Sequence, residues 1–413
     1  MQKLKVLFQG WILQHSYAIV NAFQLVHFYK KYKDTVEMYV EERALYRESW
    51  NSKKKLVFPE EYNEILTNLK RYNGEDIDIV YSITYPYNLT PIRVNGKRIP
   101  KVVFYTSEFA CLDASYFVYE ENGESKRFKN DKEIIEHLRN NPEIRFTSPS
   151  LWSSMGMKRY MVSDEKNQII THGVDTSIFR MNTTKRQSIR RFYGVKEDDI
   201  LLINTGAMTQ NKGILLILQV MNELVCRRGR SNFKLLLKGT GDLYQCKEYL
   251  ETYFEDLQKA NVLTKKEMNT LLENNIIFTD KTLTFEKMND LFNAADLCIS
   301  PYLAEGFGLV PLESLASGLK VLVPQTGSTR EYIADIYNNG GHDFIYYVES
   351  KLVNQMNSGF LCNQINVEDI VRVLIENEEQ LRVKDTYEGM FEYISKNYNW
   401  GRVVEMLHEY LIM

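Results

Sequence analysis

Short apolar runs alternate with helix-patterned segments along almost the whole chain, and that alternation restricts the fold more than any other feature. In the first half the runs fall at 5–9, 77–82, 101–106, 144–148 and 168–171, with helical spacing at 17–32 and 59–72. In the second half they fall at 200–205, 233–238, 276–279, 297–300 and 320–324, separated by helical patterns at 212–226, 244–260, 285–295 and 311–317. Runs this continuously apolar suit strands buried on both faces. Strands alternating with helices predict parallel sheets wrapped on both sides. The expected fold class is therefore α/β, with two doubly wound, Rossmann-like parallel-sheet domains facing a cleft. In such a pair the ligand position is that cleft, at the carboxyl ends of the strands.

The pattern pauses once, over 179–199, which is polar, basic and without a long apolar run. This predicts a linker, and with it domains at 1–182 and 183–397 plus a terminal helix at 398–413. A length of 413 residues also exceeds one ordinary core. Two stretches break the alternation. Residues 116–130 are polar and read as a loop or insertion, and 336–357 read as an insertion on the second domain.

Composition excludes several classes. Hydrophobic residues make up 44% and charged residues 25%, as in soluble globular proteins. A net charge of −3 gives no general reason to expect nucleic acid as a partner. Basic clusters at Lys53-Lys54-Lys55, 185–191 and Arg227-Arg228-Gly229-Arg230 read as solvated faces, or as peripheral contact with an anionic membrane or polyanionic acceptor. The five cysteines form no CxxC pair, which fits a reducing, cytoplasmic setting. No apolar run reaches the roughly 18 residues of a spanning helix. Residues 1–10 read as a first strand rather than a signal peptide.

Two blocks carry the chemistry. After the apolar run at 297–300 comes Glu305-Gly306-Phe307-Gly308-Leu309, then a helix with Pro311 in its first turn and Glu313 just beyond. Glycine lets the backbone approach a ligand closely, and free N–H groups at a helix start attract anions. Glu313 alone would serve the helix dipole and Glu305 alone would be a surface carboxylate; the spacing with the glycines and Pro311 makes the combination more specific. The second block is Asn204-Thr205-Gly206-Ala207, followed by Asn211-Lys212-Gly213. Here a strand ends in a glycine loop and Lys212 opens a helix, a place where an ammonium can neutralise a diphosphate leaving group. Lys238, ending the next strand, is a candidate second positive charge.

These blocks resemble the donor site of retaining family-4 glycosyltransferases of the GT-B fold, whose two glutamates are separated by seven residues, as Glu305 and Glu313 are. The resemblance implies transfer of a sugar from a UDP-, GDP- or other nucleotide-diphosphate donor to a glycan, lipid-linked or protein acceptor, with retention and with neither metal nor cofactor. It implies that Glu305 reaches the donor sugar and Glu313 the ribose hydroxyls. It also implies that backbone N–H groups of Gly306, Phe307, Gly308 and Leu309 face sugar and phosphate, with Lys212 and Lys238 on the diphosphate and Gly206 and Thr279 along the nucleotide. Where the family often has an arginine after the first glycine, this chain has Ala207.

The stretch His172-Gly173-Val174-Asp175 leading to Phe179 resembles the family segment that closes the first domain, with His172 replacing an asparagine. His172 reads either as a loop histidine satisfying local backbone groups or as a cleft residue. Asn399-Trp400 resembles the start of the helix that crosses back to the first domain. On the acceptor side, the loop from Gly10 to Tyr17 presents His15 and Ser16, the latter also a fair N-cap. The family's histidine after a middle strand is absent, and Ser107 and Glu108 stand in that region. Tyrosine is abundant (27), densest from Tyr81 to Tyr87; such rings stack on sugars but more often simply pack. The rival readings are a nucleotide-sugar-binding protein without turnover and a GT-B-like epimerase or phosphorylase.

Overall fold

The computed structural model describes residues 3–11, 15–43, 57–355, 359–383 and 387–413. The chain forms two compact units, Met1–Gly173 together with Tyr398–Met413, and Val174–Asn397.

Among the described residues the first unit carries twelve strands: β1 Leu4–Gly10, β2 Val36–Glu42, β3 Lys70–Arg71, β4 Ile79–Ser82, β5 Tyr87–Asn88, β6 Ile92–Val94, β7 Lys97–Ile99, β8 Lys101–Phe104, β9 Phe117–Glu121, β10 Glu124–Arg127, β11 Ile144–Ser148 and β12 Asn167–Ile169. Seven of them form a sheet in the order β12-β11-β8-β4-β1-β2-β3, with every pairing parallel. The second unit carries β13 Ile200–Thr205, β14 Phe233–Lys238, β15 Ile276–Thr279, β16 Leu297–Ile299, β17 Lys320–Pro324, β18 Ile345–Val348, β19 Ser350–Asn354 and β20 Leu361–Ile365. Six of these form a parallel sheet in the order β15-β14-β13-β16-β17-β18. All six residues of β13 are buried, as are all five of β17, which is why these strands read as unbroken apolar runs. The α/β, doubly wound architecture expected from the alternation is the one observed.

In both sheets the first strand is central and the chain fills one side before crossing to the other. That order defines a switch point, between β13 and β16 in the second unit and between β1 and β4 in the first. Crevices at such points, outside the carboxyl ends of the strands, are where open α/β sheets bind ligands.

Several sequence expectations need correction. Residues 116–130 are not a loop: β9 and β10 pair antiparallel through Asn122-Gly123, with φ of +55° and +79°. That Asn-Gly signature marks a two-residue hairpin turn. Residues 179–199 are not a linker, for a helix at Arg186–Phe192 packs onto the second unit. Arg186 and Arg190 both pair with the buried carboxylate of Asp296, which also accepts the N–H of Leu201 at 2.7 Å. The unit boundary accordingly falls at Gly173/Val174 rather than 182/183. Within 336–357, residues Ile345–Val348 form the edge strand of the main sheet, parallel to β17, so this part is no insertion. Strand β2 matches none of the apolar runs above, although its residues Val36, Met38 and Val40 are buried. The Lys53-Lys54-Lys55 cluster lies outside the described residues.

The terminal helix Trp400–Ile412 groups with the first unit. Asn399 caps it by accepting from Arg402 N at 2.9 Å, and the Trp400 ring stacks on Phe23 at 5.2 Å.

Candidate active site

Lys212 and Glu305 straddle the switch point of the second sheet. After β13 the chain turns through Gly206 (φ +141°) and a 3-10 turn at Gln210–Lys212, then enters the helix Ile214–Met221. After β16 it forms the loop 301–308 and enters the helix Leu309–Ala316, whose first turn holds Pro311. Strands β13 and β16 pair, so the two loops lie side by side. The Lys212 ammonium makes an ion pair with the Glu305 carboxylate, with 19% and 15% of the side chains exposed. The same ammonium lies 5.2 Å from the centre of the Tyr302 ring, a cation–π contact.

The backbone is laced to hold this pair. The Asn211 carbonyl accepts from Leu303 N at 2.8 Å and Ala304 N at 3.3 Å, while Asn211 Nδ2 donates to the Ala304 carbonyl at 3.1 Å. Gly213 has φ +73°, and a Cβ there would sit 2.4 Å from the Pro301 carbonyl oxygen. Only glycine lets the two loops approach this closely. Gly308, at φ +90°, occupies the N-cap of the helix Leu309–Ala316, where a Cβ would meet Thr329 Cγ2 at 2.7 Å. Tyr332 donates to the Gly308 carbonyl at 2.6 Å and stacks on Phe307 at 4.7 Å.

Further support comes from residues the sequence did not flag. Ser328 Oγ donates to the Glu305 carbonyl at 2.6 Å. Asn363, on β20, donates from Nδ2 to the Tyr302 carbonyl at 2.9 Å and the Thr326 carbonyl at 3.3 Å, accepts from Thr326 Oγ1, and donates its backbone N–H to Leu303 O at 2.7 Å. Asn363 thus ties the Glu305 loop to the segment after β17. Nothing local in the sequence marks Asn363, because its partner Tyr302 lies 61 residues away.

Glu313 is half-buried one helical turn into Leu309–Ala316, and burial pushes its carboxyl up to about 8. Thr205, Lys238 and Thr279 are register partners at the carboxyl ends of β13, β14 and β15. Lys238 is buried, and burial lowers its ammonium pKa while Cys246, Asp242 and Asp280 pull the other way. All the donor-side residues read from sequence therefore lie along one edge of the second sheet. Chemically, this edge offers two ammonium groups, an anion-attracting helix start and two carboxyl groups able to hydrogen-bond hydroxyls. Among the described residues, no group of three or more His, Cys, Asp or Glu side chains is placed to hold a metal ion.

The first-unit candidates come from separate elements. Ser16 is not the N-cap: His15 holds that position, with no side-chain cap bond, and its ring stacks on Tyr17 at 5.8 Å. Ser107 is buried; its hydroxyl donates to the Cys111 carbonyl at 3.0 Å, its N–H donates to Ser153 Oγ at 3.1 Å, and its carbonyl accepts from Ser153 Oγ at 3.3 Å. The Glu108 carbonyl accepts from the Trp152 indole at 2.8 Å. His172 is buried between the Phe104 ring at 5.6 Å and the Trp400 ring at 6.0 Å, and burial lowers its pKa to about 3, so the imidazole is neutral. It is a packing residue of the first unit.

Among the described residues no helix is long and apolar enough to cross a membrane. Residues 199–361 match the family described as glycosyl transferases group 1. The chain is 27% identical over 172 residues to an uncharacterized glycosyltransferase of Methanocaldococcus jannaschii, covering 41% of this chain and 39% of that protein. It is 26% identical over 242 residues to a lipopolysaccharide 1,2-N-acetylglucosaminetransferase of Salmonella typhimurium, covering 58% and 55%. The matched part thus spans about half the length of these relatives or less. The Anabaena protein HepE, solved in complex with UDP and glucose, superposes with a TM-score of 0.63 at 12% identity, covering 99% of each chain, which establishes the shared fold. Residues 199–361 are thus similar to glycosyl transferases group 1, and the chain as a whole shares the GT-B fold.

Proposed function

We propose that this protein transfers a sugar from a nucleotide-diphosphate donor to a hydroxyl group of a glycan, lipid-linked or protein acceptor, retaining the anomeric configuration and using neither metal nor cofactor. The observation that carries the reading is the Lys212–Glu305 pair across the β13/β16 switch point, beside the start of the helix Leu309–Ala316. The HepE complex with UDP and glucose and the named relatives support the donor class.

In this reading the donor diphosphate lies against the start of the helix Leu309–Ala316, with Lys212 and Lys238 supplying positive charge to the leaving group. Glu305 turns from its lysine to the hydroxyls of the sugar, and Glu313 takes the ribose hydroxyls. As the glycosidic bond loosens, positive charge develops on the sugar ring and neighbouring oxygens support it.

The test is a thermal-shift screen with UDP, GDP, ADP and dTDP sugars, followed by nucleotide release with and without acceptor. A bound donor raises the melting temperature by mass action. A shift in the wild type that is lost in Glu313→Ala supports the donor site, and release that requires acceptor separates transfer from sensing. Absence of any shift, or an equal response in Glu313→Ala, refutes the assignment. NMR of the product's anomeric signal decides retention.

A further inference from the structure

The Lys212 ammonium meets partners of two different kinds in the loop 301–308. One is the Glu305 carboxylate, an ion pair; the other is the face of the Tyr302 ring, whose centre lies 5.2 Å away. Tyr302 is fixed in its place. It is 3% exposed, its N–H donates to the Ser300 carbonyl at 2.9 Å, and its own carbonyl accepts from Asn363 Nδ2 at 2.9 Å. Ser300, two residues before it, is also buried. Burial holds the Tyr302 hydroxyl well above its usual pKa, and the Glu305 charge adds to the effect, so the ring stays uncharged.

In the reading above, Glu305 leaves Lys212 for the sugar hydroxyls when the donor binds. A lysine ammonium ends a flexible four-carbon stem, so with its counter-ion gone it would have to be ordered again at the reacting centre. A carboxylate as the lasting partner would neutralise the charge that the diphosphate needs. An aromatic face attracts a cation through its quadrupole and carries no net charge to compete with phosphate. We propose that Tyr302 is a positioning residue: its ring keeps the Lys212 ammonium in place once Glu305 has turned away, so that a preorganised cation meets the leaving diphosphate. Its service in transfer rests on the transferase reading above; its hold on the ammonium does not.

The experiment is NMR of the full chain with isotope-labelled lysine, the Lys212 ε-methylene signal being the one missing in Lys212→Arg. An aromatic face moves such protons upfield. The upfield position is expected in wild type, in Tyr302→Phe and in Glu305→Gln, where the carboxylate is gone, and should be lost in Tyr302→Leu. The variants at 302 are then assayed for acceptor-dependent nucleotide release. The expected kcat/KM falls about tenfold in Tyr302→Leu and stays near wild type in Tyr302→Phe. Pentafluorophenylalanine in place of Tyr302 keeps nearly the shape of phenylalanine but reverses the polarity of the face. It should match Tyr302→Leu in rate and Tyr302→Phe in melting temperature, which keeps the test decisive if Tyr302→Leu fails to fold. A Lys212 signal that is not upfield in Glu305→Gln, or equal rates for phenylalanine and pentafluorophenylalanine at 302, overturns the proposal. The nucleotide-sugar thermal shift is read on the same samples. A normal thermal shift with no upfield Lys212 signal refutes the role of Tyr302 alone, and an upfield signal without a thermal shift refutes the donor site alone.

Discussion

Lys212 and Glu305 are ion-paired across two neighbouring strand ends, and each makes a further contact besides the pair. Glu305 Oε1 also accepts the N–H of Gly306 at 3.0 Å, and the Lys212 ammonium rests beside the Tyr302 ring. The pair can therefore part when a diphosphate competes for the ammonium, without unfolding either loop.

Lys212→Ala should for this reason separate stability from activity. The expected loss in kcat/KM, read as nucleotide release, is about 10²–10³-fold, the size of removing one preorganised charge from a transition state. Glu305 keeps its backbone bond, so the stability cost by urea denaturation should be about 1–2 kcal/mol. A large loss of stability with little loss of rate would mark the lysine as structural.

Glu313 gives the protein a specific pH dependence. Its folded-state pKa of about 8 lies above the ordinary carboxyl value, so the folded protein binds this proton more tightly than the unfolded chain does. The stabilising effect is present in full below the unfolded pKa of about 4.3 and is lost as pH rises through 8. Glu313→Gln cannot ionise. It should match wild type near pH 4 and exceed it by about 2 kcal/mol at pH 9, after discounting for partial exposure. Denaturation curves from pH 4 to 9 check the slope.

Two glycines with similar backbone angles should respond differently to alanine. Gly194, at φ +69°, has nothing within 4 Å of a new Cβ, whereas Gly213, at φ +73°, has the Pro301 carbonyl oxygen at 2.4 Å. Gly194→Ala is expected to cost about 1 kcal/mol from the left-handed backbone alone, and Gly213→Ala about 3 kcal/mol or more. Only the second should also abolish the nucleotide-sugar thermal shift, because the loops carrying Lys212 and Glu305 must separate.

Asn363 should act at a distance on donor binding. Asn363→Ala strips the Tyr302 and Thr326 carbonyls of a shared donor and should cost about 2–3 kcal/mol. Leu374→Ala, in the buried core of the same unit, is the comparison and should cost about 2–4 kcal/mol. Donor affinity, measured by calorimetry, should drop in Asn363→Ala and hold in Leu374→Ala.

Much of the second unit was legible in the sequence. Its central strands are buried on both faces, so they read as solid apolar runs, and the glycines at 206, 213 and 308 mark turns with positive φ. The first unit was harder. The strand Phe117–Glu121 ends in two exposed glutamates and pairs in a small sheet, so its composition reads as a loop even though Asn122-Gly123 announces the turn. The helix Arg186–Phe192 is basic because Arg186 and Arg190 serve the buried Asp296, about a hundred residues on, and no local pattern distinguishes such arginines from solvated ones.

The sequence by itself determined the class of fold and the local chemistry of the loops, since periodicity and glycine placement report burial and backbone conformation over a few residues. Only the tertiary structure decided that Lys212 and Glu305 meet although 93 residues apart, that Asn363 ties the Glu305 loop to the segment after β17, and that His172 is core. The reason is that strand order follows from handed crossovers and from packing between distant segments, and neither leaves a trace in any short stretch of chain.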